Sequence, residues 1–69
     1  MITSVVIGQT ARDYGWTSSR EGGGTAFRKG RRRVYVEFSV RGGVSWATTE
    51  SGLIQGTGKR ERVLAELTR

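Results

Sequence analysis

Apolar and polar positions alternate most regularly in the middle of the chain. Val34, Val36, Phe38 and Val40 fall on one parity, and Arg33, Tyr35, Glu37 and Ser39 on the other. Strand side chains point alternately to two faces, so residues 32–40 are expected to form a half-buried β-strand. Residues 25–28 supply a strand before it, with Lys29 and Gly30 at the turn. Arg41, Gly42 and Gly43 make the next turn, and residues 44–50 return as a strand with Val44, Trp46 and Thr48 on one side. Upstream, residues 16–20 form a further strand, joined to the next by a loop of Glu21, Gly22, Gly23 and Gly24.

The two ends of the chain carry helical spacing. Ile7, Ala11 and Tyr14 lie four and three apart, which favours a short helix over 3–14, capped by Thr3 or Ser4 and ended by Gly15. Val5, Val6 and Ile7 are β-branched and Gly8 weakens a helix interior, so a first strand over 2–8 is the alternative. Val63, Leu64 and Leu67 form an apolar stripe on a final helix over 58–68, with Thr57 as its cap. Between 51 and 58 lies a loop that Leu53 and Ile54 are expected to pin to the core. Residues 1–69 therefore read as one small α+β domain. It has a short N-terminal helix, a three- to four-stranded antiparallel meander and a C-terminal helix packed on one sheet face.

Composition narrows the chemistry. A chain of 69 residues buries a smaller fraction of its surface than a larger domain does, and is marginally stable alone. It has no Cys, hence no disulfide or thiolate metal site, and no His, the commonest general base and metal ligand. Without His, a Ser-His-Asp arrangement is excluded within one chain. The acidic residues Asp13, Glu21, Glu37, Glu50, Glu61 and Glu66 are scattered. Glu37 is expected to pair with an Arg on a neighbouring strand. No catalytic residue, cofactor or metal is expected, and Trp16 and Trp46 are expected in the core. No apolar stretch is long enough to span a bilayer, and Val5 to Ile7 lack a basic leader, so a cytoplasmic setting is expected.

Charge supplies the functional lead. The chain carries +6, with ten of its twelve basic residues Arg. Five of them crowd one predicted hairpin: Arg28, Lys29, Arg31, Arg32 and Arg33. Such a tip repels itself until an anion neutralises it, and the planar fork of Arg suits phosphate. Arg41 lies at the opposite end of the long strand. Lys59 and Arg60 begin the last helix, where cations oppose the macrodipole unless something compensates. Tyr35, on the polar strand face, is placed to stack on a base. The leading expectation is a non-enzymatic accessory or regulatory protein that binds nucleic acid, DNA or RNA. The alternatives are a module that binds and inhibits a host protein and a small homo-oligomeric structural subunit.

Gly15-Trp16, Arg20-Glu21-Gly22-Gly23, Phe27-Arg28 and Arg33-Val34-Tyr35-Val36 together resemble the HicA toxin family over residues 7–36. The resemblance implies the α-β-β-β-α layout shared with double-stranded-RNA-binding domains. The family's catalytic His would fall near Gly24 or Thr25, where this chain has none, so ribonuclease activity does not carry over. The basic helix start of those RNA-binding domains is matched loosely by Gly58-Lys59-Arg60-Glu61-Arg62. In size and Arg bias the chain also looks like the small accessory proteins of actinobacterial phages.

Overall fold

The N-terminal segment folds as a helix because burial outweighs its mixed propensity. The computed structural model describes residues 2–69. In it α1 (Thr3–Asp13) turns Ile7 and Ala11 fully inward. Its N-cap is Ile2, which offers no side-chain acceptor; Thr3 and Ser4 lie inside the first turn instead of capping it. Its far end closes as a Schellman motif. Gly15, at φ 85°, bonds back to the Arg12 carbonyl, and the Trp16 N–H reaches the Ala11 carbonyl at 2.9 Å.

Five strands follow: β1 (Thr17–Glu21), β2 (Gly24–Lys29), β3 (Arg32–Phe38), β4 (Val44–Thr49) and β5 (Gly52–Leu53). They form one antiparallel sheet in chain order, β1-β2-β3-β4-β5. The meander is thus one strand longer than expected. Gly52 and Leu53 pair with Thr49 and Thr48, within what reads from sequence as a loop. β3 stops at Phe38, and Val40 stands fully exposed in the following turn. There the Ser39 N–H bonds to the Gly43 carbonyl and the Gly42 N–H to the Ser39 carbonyl, closing the hairpin with Gly42 at φ 91°.

A bulge changes the facing of β4. Glu37 lies opposite Trp46, but Phe38 lies opposite Val44, leaving Ser45 as an extra residue. Val44 consequently packs with Phe38 against the core, while Trp46 points to the other face. The expected shared side for Val44, Trp46 and Thr48 holds only for the last two.

Then α2 (Lys59–Leu67) crosses the sheet, burying Val63 and Leu67. Gly58 is its N-cap, at φ 72° and without a side-chain cap, so Thr57 does not take that role. The core joins Ile7, Ala11 and Trp16 to Phe27, Val34, Val36 and Ala47 of the sheet and to Ile54, Val63 and Leu67. Ile54 pins the last loop, but Leu53 stays 56% exposed. Both helices cover the same face of the sheet. Both also end at the β2–β3 tip: α1 leads into Trp16 beside the Thr17–Arg28 pair, and Arg32 reaches the last residues of α2. Among the described residues no helix is long and apolar enough to cross a membrane.

Candidate nucleic-acid interface

The face left bare by the helices is ordered in three rows across the strands. The row nearest the β2–β3 tip carries Thr17, Arg28 and Arg33. The middle row carries Ser19, Ala26, Tyr35, Thr48 and Leu53. The far row carries Glu21, Gly24, Glu37 and Trp46. Strand alternation therefore places Arg28 and Arg33 at one end of the face, with Glu50 bonded to the Arg33 backbone there, and Glu21, Glu37 and Trp46 at the other.

The eight basic residues singled out by sequence separate into three groups. Arg28, Lys29, Arg31 and Arg33 are exposed at or beside the tip. Gly30 makes this turn possible, at φ 61° with open space around it. Arg28 and Arg33 are directly opposite each other, a like-charge cross-strand pair that disfavours the bare sheet. Arg28 leans to Glu21 at 3.8 Å; both side chains are half exposed, so the pair is worth only about 0–1 kcal/mol. No carboxylate lies within ion-pair distance of Lys29, Arg31 or Arg33 among the described residues.

Arg32 departs from the expected cluster. Its parity is that of Val34, so it turns under the sheet toward the helices. Its Nη2 donates to the Glu66 carbonyl at 2.6 Å and to Glu66 Oε1 at 3.3 Å, and its Nη1 donates to the Arg69 carbonyl at 3.3 Å. Its guanidinium carbon lies 4.9 Å from the Trp16 ring centroid. Its Nε is buried without a hydrogen-bond partner. The Trp16 indole N–H donates to the Leu67 carbonyl at 2.9 Å. Together these groups satisfy the carbonyls that end α2. Arg32 is a fastener of the fold, not a solvent-facing member of a phosphate site.

The remaining three lie at the opposite end of the molecule. Arg41 is exposed in the β3–β4 turn. The Lys59 ammonium donates to the Gly56 carbonyl at 2.7 Å, and Arg60 pairs with its neighbour Glu61 at 3.2 Å. Arg62 likewise donates to the Gln55 carbonyl. The basic start of α2 thus ties down the preceding loop, which offsets the unfavourable placement of cations near a helix N-terminus. These residues do not join the tip in one surface.

The aromatic part of the face is a pair. Tyr35 and Trp46 have ring centroids 5.1 Å apart and are tilted by 44°. Trp16 is buried as expected, at 6% exposure, but Trp46 is 38% exposed: it alternates with the buried Ala47 and faces outward opposite Glu37, while the Ser45 bulge turns Val44 inward. Gly24 lets the Tyr35 ring lie close. A Cβ there would sit 2.7 Å from the Tyr35 hydroxyl and would clash with the Val36 carbonyl. The hydroxyl faces Glu37 Oε2 and the Glu21 carbonyl, each at 3.1 Å. The partner of Glu37 is thus this phenol and not the Arg expected on a neighbouring strand. Burial, then the hydrogen bond to Glu37 and the negative charges of Glu37 and Glu21, raise the Tyr35 phenol above its ordinary range.

At the tip end, Glu50 accepts the Arg33 backbone N–H at 2.9 Å. That bond, then one from its own backbone, holds its carboxyl below the usual carboxylate range, and Arg32 and Arg69 add favourable charge. Between Glu50 and Trp46 the face dips into a shallow, open depression of about 540 Å³ floored by Ala26, Tyr35 and Thr48. Among the described residues no group of His, Cys, Asp or Glu is placed to hold a metal. The chain matches no family model, no curated protein and no solved structure.

Proposed function

We propose that this protein is a non-enzymatic nucleic-acid-binding accessory or regulatory protein, acting in the cytoplasm. The observation that supports this most is the exposed group Arg28, Lys29, Arg31 and Arg33. Among the described residues, three of these have no carboxylate within ion-pair distance, and Arg28 faces Arg33 directly. Phosphate is the ligand that relieves this repulsion, with the guanidinium forks gripping two oxygens at once.

The test is a salt titration of binding to pooled single- and double-stranded nucleic acid. Four phosphate contacts give a log–log slope of about −3 on a single strand, since each contact releases counterion. Replacing Lys29, Arg31 and Arg33 with Gln while keeping Arg32 flattens that slope and weakens binding, with the thermal unfolding midpoint retained. Absence of binding at low salt would overturn the proposal. The rival reading, a protein-interaction or homo-oligomeric module, draws on the exposure of Trp46 and Leu53. It predicts no salt-dependent nucleic-acid binding but a stable protein complex.

A further inference from the structure

We infer that the bare sheet face is a platform for single-stranded nucleic acid, with bases on Trp46 and Tyr35 and backbone phosphates on Arg28 and Arg33. The inference rests on the nucleic-acid reading above and names the form of nucleic acid and the residues that select it.

Three features of one surface converge. First, the two arginines stand on adjacent strands at the tip end of the face, where strands are about 4.8 Å apart. Second, the aromatic pair lies beyond them, toward the other end. Trp46 is partly uncovered, and Tyr35 is held by its one O–H, which is shared between Glu37 Oε2 and the Glu21 carbonyl. A ring held in advance loses little freedom when a base stacks on it. Third, a depression lined by Ala26, Arg33, Tyr35, Trp46 and Thr48 connects the two and leaves room for a base beside the Tyr35 ring.

The charge order of the rows decides how a strand would lie. Phosphates are drawn to the arginine row, where the Glu50 carboxylate is engaged by the Arg33 backbone N–H, and are repelled by Glu21 and Glu37. Bases are uncharged, and a carboxylate accepts hydrogen bonds from their exocyclic amino groups. The exposed Arg28–Glu21 pair is weak enough for a phosphate to displace it. A strand crossing the sheet with its backbone toward the tip satisfies both rows. A duplex cannot do so, because its base faces are already stacked and it can meet only the cationic tip. Every base has a π-face, so the platform recognises strandedness before sequence.

The experiment uses the full chain and a mixed-sequence single-stranded DNA of about ten nucleotides, a length within the usual site range of such surfaces. The duplex of the same sequence serves as control. Tryptophan emission is expected to fall on adding the single strand, and the fall to vanish in W46F, since Trp16 is buried. W46A is expected to weaken single-strand binding about tenfold or more and to change duplex binding less than twofold. The double variant R28Q/R33Q is expected to reduce the single-strand salt slope by about 1.4. Unchanged emission, or W46A binding both forms as before, would overturn the platform while leaving tip-mediated binding standing. Failure of the unmodified chain to bind either form at low salt would remove both readings. A dimer in native mass spectra that W46A converts to monomer would instead assign the face to a second copy.

Discussion

Arg32 lies over Trp16, with its guanidinium carbon 4.9 Å from the ring centroid, and from there it reaches the carbonyls of Glu66 and Arg69. One side chain thus joins β3 to the beginning of β1 and the end of α2. R32A leaves those carbonyls without a protein donor and uncovers the indole. It is expected to lower unfolding free energy by about 1–3 kcal/mol, whereas R31A stays within about 0.5 kcal/mol. Urea midpoints with an unchanged m-value provide the comparison. Equal midpoints for the two variants would show that the fastening contributes nothing.

Gly24 is required by contact and not by backbone angle. An added methyl meets the Tyr35 hydroxyl and the Val36 carbonyl, and the carbonyl, fixed in the β2–β3 ladder, has no room to retreat. G24A is expected to destabilise by about 1–3 kcal/mol and to displace Tyr35 from Trp46. Thermal unfolding measures the first effect and near-ultraviolet dichroism the second.

Tyr35 should titrate above the ordinary phenol range, with ionisation followed by phenolate absorbance. E37Q removes the main hydrogen-bonding and charge partner and should bring the titration down. The folded value is raised, so the fold favours the protonated phenol. That contribution is complete below the unfolded phenol value and is lost as pH rises through the folded one. Y35F should therefore flatten the alkaline limb of the stability profile relative to the parent chain.

Glu50 predicts the opposite limb. Its folded value is lowered by the Arg33 N–H. Its contribution is present above the unfolded carboxyl value and fades as pH falls through the folded one. E50Q should show a shallower loss of stability on acidification. An acid limb identical to that of the parent would remove Glu50 from this role.

Much of the layout was legible because burial follows periodicity. Ile7 and Ala11, Val34 and Val36, and Val63 and Leu67 mark the three main inward surfaces, and each pair is buried as its spacing implies. Trp46 was not legible, because one unpaired residue, Ser45, breaks the parity on which the reading of β4 depends. β5 was missed because two residues, one of them Gly, carry no alternation. The candidate site was half legible. The alternation puts Arg33 and Tyr35 on the polar face, where they lie, and the same parity puts Arg32 inside. Its partners were not available: Glu66 is 34 positions away and meets Arg32 only because α2 lies across β3.

The order of the strands leaves β1 as one border of the sheet, all five of its residues exposed, while the border at β5 is only two residues long. Amide and carbonyl groups along β1 are an edge on which another backbone could align. Thr17, Ser18, Ser19, Arg20 and Glu21 are all polar or charged, so this margin stays hydrated and discourages edge-to-edge growth.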